Sequence, residues 1–143
     1  DVYKRQEVDK YYASRTLLGD GSASPTIKIA LYVESDAERD AYPWVRELVP
    51  ELRAVVSGKH WVDLMHPDAD KGLALAQLAE AMGVAMSETA AFGDYLNDLG
   101  MLRAAGHAVA MGNAHEDVKA VADEVVGTNT DGAAVARLAK WLS

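Results

Sequence analysis

Residues 26–34, TIKIALYVE, alternate between apolar and polar positions, with Ile27, Ile29, Leu31 and Val33 on one side and Lys28, Tyr32 and Glu34 on the other. That period of two is the pattern of a half-buried strand. The period then lengthens: Ala41, Trp44, Val45, Leu48 and Val49 recur at helical spacing behind a capping box from Ser35 to Glu38. Pro43 lacks the amide hydrogen that a helix interior needs, so this helix is expected to kink or restart there. Two more short strands, 52–56 and 61–65, flank Ser57-Gly58-Lys59, a turn sequence that predicts a hairpin. Residues 26–66 read as a small α+β unit.

From Lys71 the texture becomes a regular alternation of helix and strand. A helix over 71–82, with Leu75, Leu78, Ala79 and Met82 on one face, stops at Gly83, placed as a C-terminal glycine cap. An apolar strand at 89–92 runs into Gly93-Asp94, a helix follows over 96–105, and His107 to Met111 form the next strand. Asn113 with Glu116 predicts a capped helix carrying Val118, Val121 and Ala122. A strand at 124–126 and a last helix over 131–142, with Val135, Leu138, Ala139 and Leu142 inward, complete the series. Short strands alternating with helices predict a parallel, doubly wound α/β sheet.

Two segments near the start stand apart. Residues 1–6, DVYKRQ, read as the translation of a transposon-end adapter rather than natural coding sequence, and are not expected to belong to the fold. A leader encoded upstream would lie outside these residues. The glycine-rich stretch at 19–25 reads as a loop; as a phosphate-binding motif it lacks the strand-to-helix setting.

Composition narrows the class. Half the 143 positions are apolar and a quarter charged, which excludes wholesale disorder, and no apolar run approaches the roughly 18 residues of a membrane span. A net charge of −8 argues against nucleic acid or an anionic membrane as partner, yet leaves room for an anionic substrate if a metal ion or lysine reverses the local field. The absence of Cys excludes disulfides, thiolate metal sites and cysteine nucleophiles, and fits a reducing, cytoplasmic compartment. The four histidines, His60, His66, His107 and His115, have no zinc-like spacing.

In parallel sheets ligands bind beyond the carboxyl ends of the strands. Asp94 follows an apolar strand directly, and Asp98 comes four residues later, on the same side if the turn winds straight into the helix. Asp94, Asn97 and Asp98 would offer hard oxygen donors suited to Mg²⁺. The spacing fits equally well a helix cap at Asp94 and a solvated Asp98, since acids favour a first helical turn. Lys71 opens a helix, where the macrodipole disfavours a cation, and could place a point charge on a phosphate; a solvated surface lysine is the competing reading.

Asp70-Lys71-Gly72, Gly93-Asp94-Tyr95-Leu96-Asn97-Asp98 with Met101-Leu102, Val109-Ala110-Met111-Gly112-Asn113-Ala114, and Asn129-Thr130-Asp131-Gly132 occur in an order that resembles the haloacid-dehalogenase superfamily, specifically its Cof-type phosphatases. The resemblance implies that residues 67–143 are the C-terminal half of a Rossmann-like core, with a parallel sheet and helices on both faces, and that residues 7–66 are the latter part of an α/β cap domain. It implies a catalytic, phosphate-contacting Lys71; Mg²⁺ held by Asp94 with Asn97 and Asp98; Asn97 near the phosphate; and Asp98 among the catalytic residues. The implied activity is hydrolysis of a small phosphorylated metabolite, a sugar phosphate or similar, through an aspartyl-phosphate. The family's DxDGT nucleophile motif is not in this chain, so the chain alone is expected to be inactive. Asp68-Ala69-Asp70 has the spacing but not the context, because Pro67 interrupts the strand before it and Lys71 follows at once. Gly100 stands where the family often has an acid. The alternatives are a phosphomutase-like relative and a non-catalytic phospholigand-binding protein.

Overall fold

A computed structural model describes residues 27–143; residues 1–6 and the loop at 19–25 lie outside the described residues. The first described unit is an antiparallel sheet of β1 (Lys28–Tyr32), β2 (Arg53–Gly58) and β3 (Trp61–Met65), in the order β1-β3-β2. Directly opposed residues share a face of a sheet. Ile29, Leu64 and Ala54 therefore lie on one face with Leu31, Val62 and Val56, while Lys28, Met65 and Arg53 lie on the other with Ala30, Asp63 and Val55. Helices α1 (Ala37–Asp40) and α2 (Tyr42–Leu48) cover the first face, where Ala37, Ala41, Val45, Val56, Val62 and Leu64 form a buried cluster. The second face is left for the pocket described below.

The predicted elements are present, with local corrections. Asp36, not Ser35, caps α1: its carboxylate accepts from the Arg39 amide at 3.1 Å. The helix restarts at Tyr42 with Pro43 in its first turn, where a missing amide hydrogen costs nothing. Only Ala37, Ala41 and Val45, four residues apart, are buried; Trp44 and Leu48 of the predicted stripe are exposed, because two short helices touch the sheet along a single line. The hairpin turns at Lys59 and His60 rather than 57–59, with a register shift between Val56 and Gly58. Ile29 is 48% exposed, since edge strand β1 extends beyond the helices that cover Leu31 and Val33.

The second unit is a parallel sheet, β4 (Ala90–Gly93), β5 (His107–Ala110) and β6 (Glu124–Val125), in that order. It is accompanied by α3 (Lys71–Met82), α4 (Leu99–Ala104), α5 (Glu116–Val121) and α6 (Ala133–Leu142). Ala91, Leu102, Ala108, Ala110, Met111, Ala114 and Val118 make its core. Gly83 ends α3 in the left-handed conformation, φ 68°, as its position predicts. The predicted helix over 96–105 begins instead as a 3₁₀ turn, Leu96–Asp98, before α4.

Three local readings fail on tertiary grounds. Asn113 does not cap α5: its Oδ1 accepts from the Asn129 amide at 2.9 Å, and His115 Nδ1 accepts from the Asp117 amide instead. On α3, Ala79 is buried and Leu75 packs on the core, but Leu78 and Met82 are exposed. On α6 the inward face is set by Ala133, Ala134 and the Arg137–Trp141 pair, leaving Val135 71% and Leu142 87% exposed. Trp141 is held at 5.7 Å from Phe92 and 5.5 Å from His107, ring centroid to centroid, and that aromatic contact orients the helix.

Candidate functional site

The site is assembled around the N-terminus of α3 and the turn after β4. Asp70, extended at φ −139°, caps α3 by accepting from the Gly72 and Leu73 amides at 2.8 and 3.0 Å. Its other oxygen takes the Arg53 guanidinium of β2 at 2.5 Å, which ties the antiparallel sheet to the helix. Burial opposes the charge on Asp70, but the Leu73 and Gly72 amides and Arg53 outweigh it and hold the carboxyl below its usual range. With its oxygens so engaged and Asp68 open to solvent, the 68–70 triplet works as a helix start.

Space for that carboxylate comes from glycine. A Cβ on Gly72 would meet the Gly100 carbonyl oxygen, and one on Gly100 would meet the two Asp70 oxygens at 2.7 and 2.8 Å. Gly100 is thus a close-approach position where α3 meets α4.

Asp98 is 6% exposed and occupies the centre of the turn. Its Oδ1 pairs with Lys71 Nζ at 2.5 Å, and its Oδ2 accepts from the Asp94 amide at 3.0 Å. Asp98 therefore fastens the first residue of α3 to the C-terminal end of β4. Neither local alternative holds, since the buried Asp98 does the capping and Asp94 is free of it. Asp94 turns its carboxylate the other way, where Oδ2 accepts from Asn129 Nδ2 at 2.7 Å. The turn is also held from outside: the Asp94 carbonyl accepts from the His115 amide at 2.9 Å. Tyr95 lies against His115 at 5.7 Å and packs into the apolar cluster of the first unit with Leu96. Burial, then the charges of Asp36, Glu38 and Asp94, push the Tyr95 hydroxyl pKa up.

Lys71 and Asn97 face a pocket of about 510 Å³, whose other wall is the uncovered face of the antiparallel sheet. Asp94 is not part of its lining. Of the four candidate residues, the structure thus brings Lys71, Asn97 and Asp98 together and sets Asp94 beside Asn129. The sequence reading missed Lys28, Arg53 and Asp63 on the pocket wall and gave no role to Asn129. Asn129 follows the third parallel strand, so the sheet-edge rule could have flagged it; the sheet residues carried no such signal.

For a divalent cation, no group of three or more His, Asp or Glu side chains among the described residues converges on one point. Mg²⁺ needs only one or two carboxylates, with water and substrate phosphate filling its shell. Asp94 fits that use, because no ion pair involves it among the described residues, whereas Asp98 is committed to Lys71 and backbone amides.

Comparison with known proteins bears on the family of the chain. The haloacid dehalogenase-like hydrolase family model matches residues 3–138. The phosphatase YwpJ of Bacillus subtilis is 48% identical over 100 residues, 69% of this chain and 35% of its own length. The 5-amino-6-(5-phospho-D-ribitylamino)uracil phosphatase YcsE of the same organism is 40% identical over 116 residues, 81% of this chain and 47% of its own. Among solved structures, a HAD subclass IIB sugar phosphatase superposes with a TM-score of 0.67 at 27% identity, over 80% of this chain and 43% of that one. The chain spans a third to a half of the length of these relatives. With its α/β fold, its parallel sheet and the motifs at that sheet's C-terminal edge, the chain belongs to the haloacid dehalogenase-like hydrolase family.

Proposed function

We propose that the protein to which this chain belongs is a Mg²⁺-dependent phosphomonoester hydrolase acting on a small phosphorylated metabolite, a sugar phosphate or a similar compound. The observation that carries this reading is the Lys71–Asp98 pair, which holds an ammonium at the mouth of a pocket beside the Asn97 amide and the sheet edge bearing Asp94. A cation fixed there binds the transferring phosphoryl group and offsets its charge. Asp98, buried and bonded on both oxygens, keeps Lys71 in place and the turn closed. Asn97 donates an amide hydrogen to a phosphate oxygen. Mg²⁺ held through Asp94 would supply Lewis-acid neutralisation of the phosphate charge. The nucleophilic aspartate that forms the aspartyl-phosphate is assigned to a part of the protein outside this chain. The named phosphatase relatives support the reaction class, and the ribitylamino-uracil phosphate in one of their names supports a small polar metabolite.

The test is Mg²⁺-dependent hydrolysis by the full-length protein, with Asp94→Asn beside it. Loss of metal-dependent turnover with an unchanged circular dichroism spectrum is the expected outcome. Unchanged turnover would refute Asp94 as metal ligand, and binding of inorganic phosphate without any turnover would replace the hydrolase with a binding protein. Residues 1–143 alone are expected to be inactive, and hydrolysis of an aryl phosphate by them would overturn the placing of the nucleophile.

A further inference from the structure

Asp63 stands in the middle of β3, with Ala30 of β1 and Val55 of β2 directly opposite. It is 4% exposed. The centre of a three-stranded sheet favours β-branched and aromatic residues, and a buried carboxylate is unfavourable there without a partner. Lys28 supplies one, reaching diagonally from β1 to β3, where its ammonium meets Asp63 Oδ2 at 3.1 Å while its own side chain stays half exposed. Both residues line the pocket opposite Lys71 and Asn97.

Every cation on this pocket's wall holds a carboxylate, and Asp68 adds a further, exposed acid to the lining. Lys28 pairs with Asp63, Arg53 with Asp70 and Lys71 with Asp98. A pocket that takes an extra anion presents a cation or a nest of amides aimed at it. Here the lining cations each hold a carboxylate, and between the pairs lie Val55, Met65 and Ala74. A hydroxyl meets both donors and acceptors on such a wall, whereas a second phosphate must face Asp63 or displace it from Lys28.

We propose, resting on the phosphatase reading above, that Asp63 and Lys28 sort substrates by the charge of the leaving group. The pair admits phosphate esters whose leaving group is neutral and hydroxylated, and turns away those that carry a second phosphate. The two residues act with opposite sign: removing the carboxylate leaves the wall positive, and removing the ammonium leaves it negative.

The experiment compares kcat/KM of the full-length protein for a hexitol monophosphate and a hexose bisphosphate, with para-nitrophenyl phosphate as reference. The wild type is expected to prefer the monophosphate. Asp63→Asn should shrink that preference about tenfold, and Lys28→Met should widen it by a similar factor, the effect of one unit charge a few ångströms away under partial screening. Because each result is a ratio, a general loss of folded protein cancels. Lys28 is half exposed, so Lys28→Met decides the matter should Asp63→Asn fail to fold. A wild-type preference for the bisphosphate, a ratio unmoved by Lys28→Met, or a shift in the same direction by both variants would overturn the charge sorting while leaving the phosphatase reading intact. Hydrolysis of none of the three esters by the wild type would overturn the phosphatase reading and the sorting with it.

Discussion

The two sheets carry chemistry in different places. In the antiparallel sheet it is on a face: alternation puts Ile29, Leu31, Val62 and Leu64 under or toward α1 and α2, and Lys28, Arg53 and Asp63 over the pocket. In the parallel sheet the strands are two to four residues long, and Ala108, Val109 and Ala110 of β5 are all buried, so neither face is available. Its chemistry lies beyond the strand ends, in Asp94, Asn97, Asp98 and Asn129. A strand with one face covered can present side chains from its middle; a strand covered on both can present them only from its end. The pocket forms where the face of one sheet meets the edge of the other.

Breaking the edge should have the largest effect: Asp94→Asn is expected to abolish metal-dependent turnover, whereas the face variants Asp63→Asn and Lys28→Met should change selectivity about tenfold. The joint between the two units comes next. Helix propensity alone predicts that Gly100→Ala stabilises α4 by about 1 kcal/mol, but the new methyl would collide with the Asp70 carboxylate that holds Arg53. The expected result is a loss of about 1–3 kcal/mol in urea unfolding, the usual penalty of overpacking; a gain would show that α3 and α4 can separate without harm.

Asp70→Asn sharpens the same point through pH. Asparagine is as good an N-cap as aspartate, so the part lost is the charge opposite Arg53 and the helix N-terminus, about 0.5–1 kcal/mol. The Asp70 carboxyl is held below its unfolded value, so its contribution is present above pH of about 4 and disappears as pH falls through the lower folded value. Wild type and variant should therefore differ in stability at neutral pH and converge in acid; a pH-independent difference would refute the charge account. The smallest effect is expected at the outward face of α6, where Val135→Lys should change the stability of this chain by no more than about 0.5 kcal/mol, as measured by urea unfolding.

Much of the frame was legible in the sequence. A strand inside the alternating run, the restart at Pro43, the glycine stop at Gly83 and the order of helices and strands after Lys71 are all local, and the structure contains each of them, although of the run's apolar side chains Leu31 and Val33 pack on the core while Ile27 and Ile29 are exposed. Gly93-Asp94 was readable as a strand running into a sheet edge for the same reason. Side-chain direction was readable only in part. Val135, Leu138 and Leu142 form a sound apolar stripe on α6, yet Trp141 packs against Phe92 and turns that stripe outward.

What the chain determined by itself is periodicity, caps and stops, because these depend on residues within one or two turns of each other. Tertiary structure alone decided that Asp63 would face Lys28 and the pocket, that Gly100 would make room for Asp70, and that Asp98 rather than Asp94 would be buried against Lys71. Each of those outcomes joins residues some thirty positions apart. Which face of an element is covered, and which carboxylate loses its water, depends on what the rest of the chain brings against it.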